Sequence, residues 1–221
     1  MKNKLILIVS VLVLSASFAA AQDRTAFGIL GGINFQDLNG KATNGDKLEN
    51  EMQLGFHGGV NVQIPVAPEF YFQPGLMYST KGAKNSEGSL TSKTKLNYIE
   101  MPLNFVYKAP LGNGFFMLGF GPYLAYAISG NVETKGGSVT LDQDIEFTNE
   151  VKSGDPLLTP YYKAFDAGAG IFVGYETAGG LSLQLNTQLG LLNINPEYEG
   201  LTADKSAVKN TGFGLSLGYR F

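Results

Sequence analysis

Polar and apolar residues alternate with period two in eight segments of this chain, the pattern of strands that face an apolar medium on one side. Thr25 to Phe35 sets Phe27, Ile29, Ile33 and Phe35 against Gly28, Leu30, Gly32 and Asn34, and Met52 to Ile64 sets Leu54, Phe56, Val60, Val62 and Ile64 against Gln53, His57, Asn61 and Gln63. Phe70 to Lys81 opposes Phe72, Leu76 and Tyr78 to Tyr71, Gln73, Gly75 and Ser79; Lys95 to Lys108 opposes Ile99, Met101, Leu103, Phe105 and Tyr107 to Glu100, Asn104 and Lys108. Phe115 to Ser129, Ala164 to Thr177, Leu181 to Leu191 and Thr211 to Phe221 repeat the scheme. Runs of about 11 residues match a tilted strand that crosses a bilayer.

Period two does not say which face is inside, because a soluble barrel alternates too, with its apolar side inward. The polar face decides. It carries Gly, Ser, Asn and Gln, residues that suit a crowded lumen, while charges collect between the runs: Asp37, Lys41, Asp46, Lys47, Glu49 and Glu51 in one gap, Lys84, Glu87 and Lys93 in another. The gaps alternate long (Gln36 to Glu51), short (Pro65 to Glu69), medium (Gly82 to Thr94), short, very long (Gly130 to Lys163), short and long. The expectation is an all-β chain, an eight-stranded antiparallel up-and-down transmembrane β-barrel over residues 22–221, with tight turns and both termini periplasmic. Phe27, Phe72, Tyr107, Phe116, Tyr175, Tyr219 and Phe221 then form one aromatic girdle, and Phe35, Phe56, Tyr78, Tyr126 and Phe165 the other. Pro74, Pro102 and Pro122 fall inside runs and are expected at bulges or strand ends.

Composition narrows the location. Lys2 and Lys4, the apolar run Leu5 to Phe18 and Ala19-Ala20-Ala21 form a secretory signal peptide over 1–21. Cys is absent, so neither a lipid anchor on Cys nor a disulfide is expected. Charged residues are only 16%, and a net charge of −3 argues against nucleic acid as a partner. The longest apolar stretch, Phe115 to Ile128, falls short of the roughly 20 residues of a spanning helix. Spanning therefore requires a closed barrel, because lipid satisfies no backbone group.

Phe72-Gln-Pro-Gly-Leu-Met-Tyr78 with Lys81-Gly82, then Tyr98-Ile-Glu-Met-Pro-Leu103, resemble the PorT-like outer-membrane β-barrel family of Bacteroidota. Gly119 to Leu124, Asp166 to Gly170, Gly190 to Ile194 and Leu215 to Phe221 continue the likeness through the mature chain. The resemblance implies fold and location; the namesake is an accessory of a protein secretion system. Gly75 departs from the family, which often carries an acidic residue there.

The strand phases turn His57, Glu100, Lys108, Asp166, Glu176 and Arg220 into the lumen, where they are expected to pair in a structural network that plugs it, a proton or ion relay being the other reading. His57 is the sole histidine, and no His-Asp-Ser spacing supports an enzyme. Asp142, Asp144 and Glu146 alternate in the longest gap; they suit a strand with a solvated acidic face, turned at Lys135-Gly136-Gly137, better than a Ca²⁺ site. Gly168 to Gly174 lacks dinucleotide spacing, and no cofactor is expected. Tyr219 and Phe221 resemble the assembly signal of such barrels. The chain reads as a non-catalytic envelope protein whose partners are outer-membrane lipid, the barrel-assembly machinery and an extracellular or envelope protein. A small-solute channel or an accessory of secretion is the alternative.

Overall fold

The computed structural model describes residues 25–156, 158–200 and 205–221. The signal-peptide expectation lies outside the described residues. The elements are strands throughout: β1 (Ala26–Lys41), β2 (Gln53–Ala67), β3 (Phe70–Glu87), β4 (Leu90–Pro110), β5 (Gly114–Gly136), β6 (Val139–Asp144), β7 (Glu146–Phe147), β8 (Glu150–Val151), β9 (Tyr161–Tyr162), β10 (Phe165–Thr177), β11 (Leu181–Gly190), β12 (Glu197–Tyr198) and β13 (Ala207–Arg220). Among the described residues, no helix is long and apolar enough to cross a membrane.

Eight strands form a closed ring in the order β1-β2-β3-β4-β5-β10-β11-β13, and β13 pairs back to β1. Every ladder of the ring is antiparallel. One end carries short turns, Pro68–Glu69, 111–113 and 178–180, with Glu69, Gly112 and Gly180 at φ of 65°, 59° and 85°. Each sits where a tight hairpin needs a left-handed backbone. The other end carries the long excursions, and there the strands outrun the sequence expectation. The connection expected over Gly82 to Thr94 is instead a two-residue turn at Gly88-Ser89, with Gly88 at φ 58°, because β3 and β4 stay paired from Lys81↔Leu96 up to Glu87↔Leu90. Beyond Ala83 and Leu96, which are still buried, the residues of this ribbon are half-buried or exposed on both faces, so no alternation marks it in the sequence. β5 continues with them to Gly136, turns at Gly137 and pairs with β6, which ends the sheet.

The prolines do not sit at bulges. The β2–β3 ladder skips from Asn61↔Gly75 to Ile64↔Phe72, β3–β4 from Pro74↔Leu103 to Met77↔Glu100, and β4–β5 from Pro102↔Tyr123 to Phe105↔Phe120, each with its register unchanged. A proline removes one donor without adding a residue, so pairing lapses locally and resumes in phase. The bulges lie elsewhere, between Pro65 and Ala67 in β2 and opposite Asn97–Tyr98, where Ile128 of β5 is extra.

The face assignment follows the side chains. Phe27, Ile29, Leu54, Phe56, Leu183, Leu185 and Leu217 are exposed on the outer wall, while Asn34, His57, Asn61, Gln63, Gln184 and Ser216 are buried within. Aromatic pairs band the wall at two levels: Phe35–Phe213 (5.1 Å) and Phe56–Tyr78 (5.7 Å) toward the long excursions, Phe70–Tyr107 (4.9 Å) and Tyr219–Phe221 (5.1 Å) toward the short turns. Phe27 to Phe35 is eight residues, about 27 Å along the strand and roughly 20 Å along an axis tilted by about 40°.

Candidate functional site

The interior is layered. At the short-turn end Arg220 donates from Nε to Glu176 (3.0 Å), and from its two terminal nitrogens to Asn61 (3.2 Å) and Gln73 (3.0 Å). Lys108 pairs with the other oxygen of Glu176 and donates to Gln63 (3.2 Å), whose amide reaches Gln73 (3.3 Å). Two cations thus share one carboxylate inside a ring of amides. No buried side-chain nitrogen or oxygen of these six residues lacks a hydrogen-bond partner.

Midway lies His57, whose Nε2 is 2.7 Å from Ser216 Oγ, itself accepting from Asn186 at 2.9 Å. These line a cavity of about 80 Å³ that reaches Asn61 below and Glu100 above. Its apolar side is Phe172, which packs with Val106 and Met117 in a small buried cluster.

The next layer holds a residue the sequence reading did not place in the lumen. Lys81 is 2% exposed, with its ammonium 2.9 Å from Glu100 and 3.6 Å from Asp166. The ring of Tyr123 lies 4.0 Å from that ammonium and the ring of Tyr98 5.4 Å, both favourable cation–π placements. Asp166 accepts from Tyr123 (3.1 Å) and Asn210 (2.9 Å), and Gln188 donates to Glu100. The signal was available: Lys81 shares the parity of Gln73 and Ser79, at the point where the apolar alternation stops. Asn34 Oδ1, Gln36 Oε1, Asp166 Oδ1 and Asn210 Oδ1 accept no hydrogen bond.

The expected polar filling stops there, and the long-excursion end is apolar. Leu38, Leu96, Tyr98, Tyr123, Ala125, Ala127, Ile145 and Ile194 form one buried cluster. Ile145 and Ile194 come from the two long excursions and are tied by backbone bonds, Ile145 to Gly130 (2.9 Å) and Ile194 to Val208 (2.8 Å) and Lys163 (2.7 Å). β11 stops at Gly190, so the segment around Ile194 takes up wall positions that a longer β11 would have held. Ile194 follows Leu191 and Leu192 too closely for periodicity to mark this role.

The acidic positions of the longest gap are spread along a hairpin. Asp142 and Asp144 lie on β6 and Glu146 on β7, and Asp142 accepts from Asn131 at 2.7 Å. Among the described residues, no group of three or more His, Cys, Asp or Glu could hold a metal ion. Tyr219 stacks edge-on with Phe221, whose amide bonds to Phe27 O at 2.9 Å, so the chain end is anchored on β1. A Cβ at Gly75 would lie 3.0 Å from Val60 O and 3.2 Å from Pro102 Cγ, so a larger side chain there requires its neighbours to shift.

No curated protein matches the chain. Among solved structures, it is similar to the attachment invasion locus protein Ail of Yersinia pestis, crystallised with the heparin analogue sucrose octasulfate (12% identity, TM-score 0.44, covering 90% of this chain and 100% of that one). It is similar to neisserial surface protein A at 12% identity and a TM-score of 0.45, with the same coverage of each chain. The family profile described as outer membrane protein beta-barrel domain matches residues 20–195, most of the chain, and the chain belongs to that family.

Proposed function

We propose that this outer-membrane barrel protein is a non-catalytic surface-interaction protein of the PorT-like kind, crossing the membrane with the eight ring strands, its lumen plugged and both termini periplasmic. One observation carries the reading: β3, β4, β5 and β6 continue beyond the outer aromatic band as a sheet whose last strand, β6, has an edge that no other strand pairs with among the described residues. An exposed edge offers backbone donors and acceptors to an added strand. Val139 (70% exposed) and Leu141 (53%) give that edge an apolar face, and Thr140 and Asp142 take the other. An extended segment of a protein partner is the ligand this geometry suits, and lumen side chains packed as described support a closed pore.

Thr140→Pro, which removes an outward-facing edge donor from β6 while leaving the ring intact, tests it. The variant is expected to keep its heat-shifted gel mobility and to lose partner recovery in pull-downs from intact cells. Unchanged recovery would count against the edge. Reproducible open steps in planar bilayers would favour the channel reading instead.

A further inference from the structure

Outside the apolar cap, the long-excursion mouth of the ring holds a cavity of about 170 Å³. Leu38, Ala83 and Val208 give it an apolar floor continuous with the cap, and Asn50, Asn85 and Ser92 a neutral polar wall. Tyr162 contributes an aromatic side, its hydroxyl hydrogen-bonded to Thr94. Among the described residues, no charged side chain lines the cavity. The nearby pair Lys84–Glu51 closes on itself at 2.7 Å.

The lining restricts the occupant. An ion would lose its hydration there without a countercharge. A wholly apolar molecule would leave amides and hydroxyls unpaired. A volume below the roughly 300–1,000 Å³ of drug-sized ligand sites admits a single ring. The amides are already held in place: Asn50 Nδ2 donates to Leu38 O (2.7 Å), and Asn85 Nδ2 to Glu49 O (2.9 Å) and Asn50 Oδ1 (3.4 Å). Their fixed orientation lowers the ordering cost of binding. Asn85 Oδ1 accepts nothing from the described residues, and Ser92 Oγ, 3.4 Å from Thr134 Oγ1, has donor and acceptor capacity to spare.

We propose that this mouth cavity binds one neutral sugar residue of a glycan, its C–H face on Leu38 and Tyr162 and its hydroxyls on Asn85 and Ser92. The site is independent of the β6 edge, and it relies on the proposed outward orientation only for access in the cell. Saturation-transfer NMR of the whole barrel in detergent micelles, probed with the methyl glycosides of glucose, galactose and N-acetylglucosamine and with methyl glucuronide, tests it free of orientation. Transfer from at least one neutral glycoside is expected. The double variant Asn85→Ala/Ser92→Ala, or Ser92→Ala alone where the double does not fold, should weaken binding at least tenfold. Ala83→Phe, which fills the floor, should do the same with heat-shifted mobility retained. Absence of transfer, preference for the glucuronide, or equal signals from wild type and variants would each overturn the proposal.

Discussion

The two charged layers of the lumen solve one problem differently. At the short-turn end, Arg220 and Lys108 share Glu176, and Asn61, Gln63 and Gln73 take up the remaining donors, so the layer carries an excess positive charge with its buried groups satisfied. Beneath the cap, one lysine faces two carboxylates, aromatic rings replace amides around it, and several buried oxygens accept nothing. The amide-lined layer can lose one cation and keep an ion pair. The aromatic-lined layer cannot, because Lys81 is the single cation between Glu100 and Asp166.

The sharpest way to break this contrast is Lys81→Met. Removing one partner of a buried ionic group is expected to cost about 3–5 kcal/mol, read from urea midpoints of the barrel folded in vesicles. Adding Glu100→Gln should restore part of that loss. A single variant as stable as wild type would end the distinction between the layers. A charge with no partner at all belongs on the wall: Leu185→Arg, opposite Val173 and Leu215 and 60% exposed toward the apolar band, should cost about 2–4 kcal/mol in the same assay. Arg220→Ala at the short-turn end leaves Lys108 on Glu176, so a smaller loss of about 1.5–3 kcal/mol is expected for its charged hydrogen bonds. A penalty equal to that of Lys81→Met would show that the amides do not buffer the lower layer.

At the rim the effect should be smallest. Lys84 and Ser86 hydrogen-bond Glu51 and hold its carboxyl below the ordinary value of 4.5. A depressed folded value means stability that is present above the unfolded value and lost as pH falls through the folded one. Glu51 is fully exposed, so Glu51→Gln should leave midpoints unchanged within error at pH 7 and pH 3 alike. A clear difference at pH 7 would give this surface pair more weight than exposed pairs have.

How much was legible follows from where a medium imposes a pattern. Between the aromatic bands lipid lies on one side and a crowded polar lumen on the other, and the period-two runs there give strands, phases and the inward set His57, Glu100, Lys108, Asp166, Glu176 and Arg220. Beyond the outer band the alternation fades, so the sequence carries no signal for the full lengths of β3, β4 and β5, and Lys81, whose parity does point inward, sits where that signal ends. For the prolines the expectation of bulges or strand ends fails at the bulges, because an absent donor is not an extra residue; Pro74, Pro102 and Pro122 interrupt pairing without shifting it. The bulges fall at Val66 and Ile128, residues of ordinary strand type that nothing in the sequence singles out. The apolar cap was hidden because the contacts that bury Ile145 and Ile194 are distant in sequence; Ile145 alternates with Leu141 and Phe147, a pattern that marks a strand without marking which of its residues are covered.

Ile194 also serves two purposes at once. Its amide bonds to Val208 on the terminal strand and its carbonyl receives the amide of Lys163, while its side chain is buried in the apolar cap. Stave and cork are here one piece of chain, so a cut or insertion at this segment would open the seam and the top together.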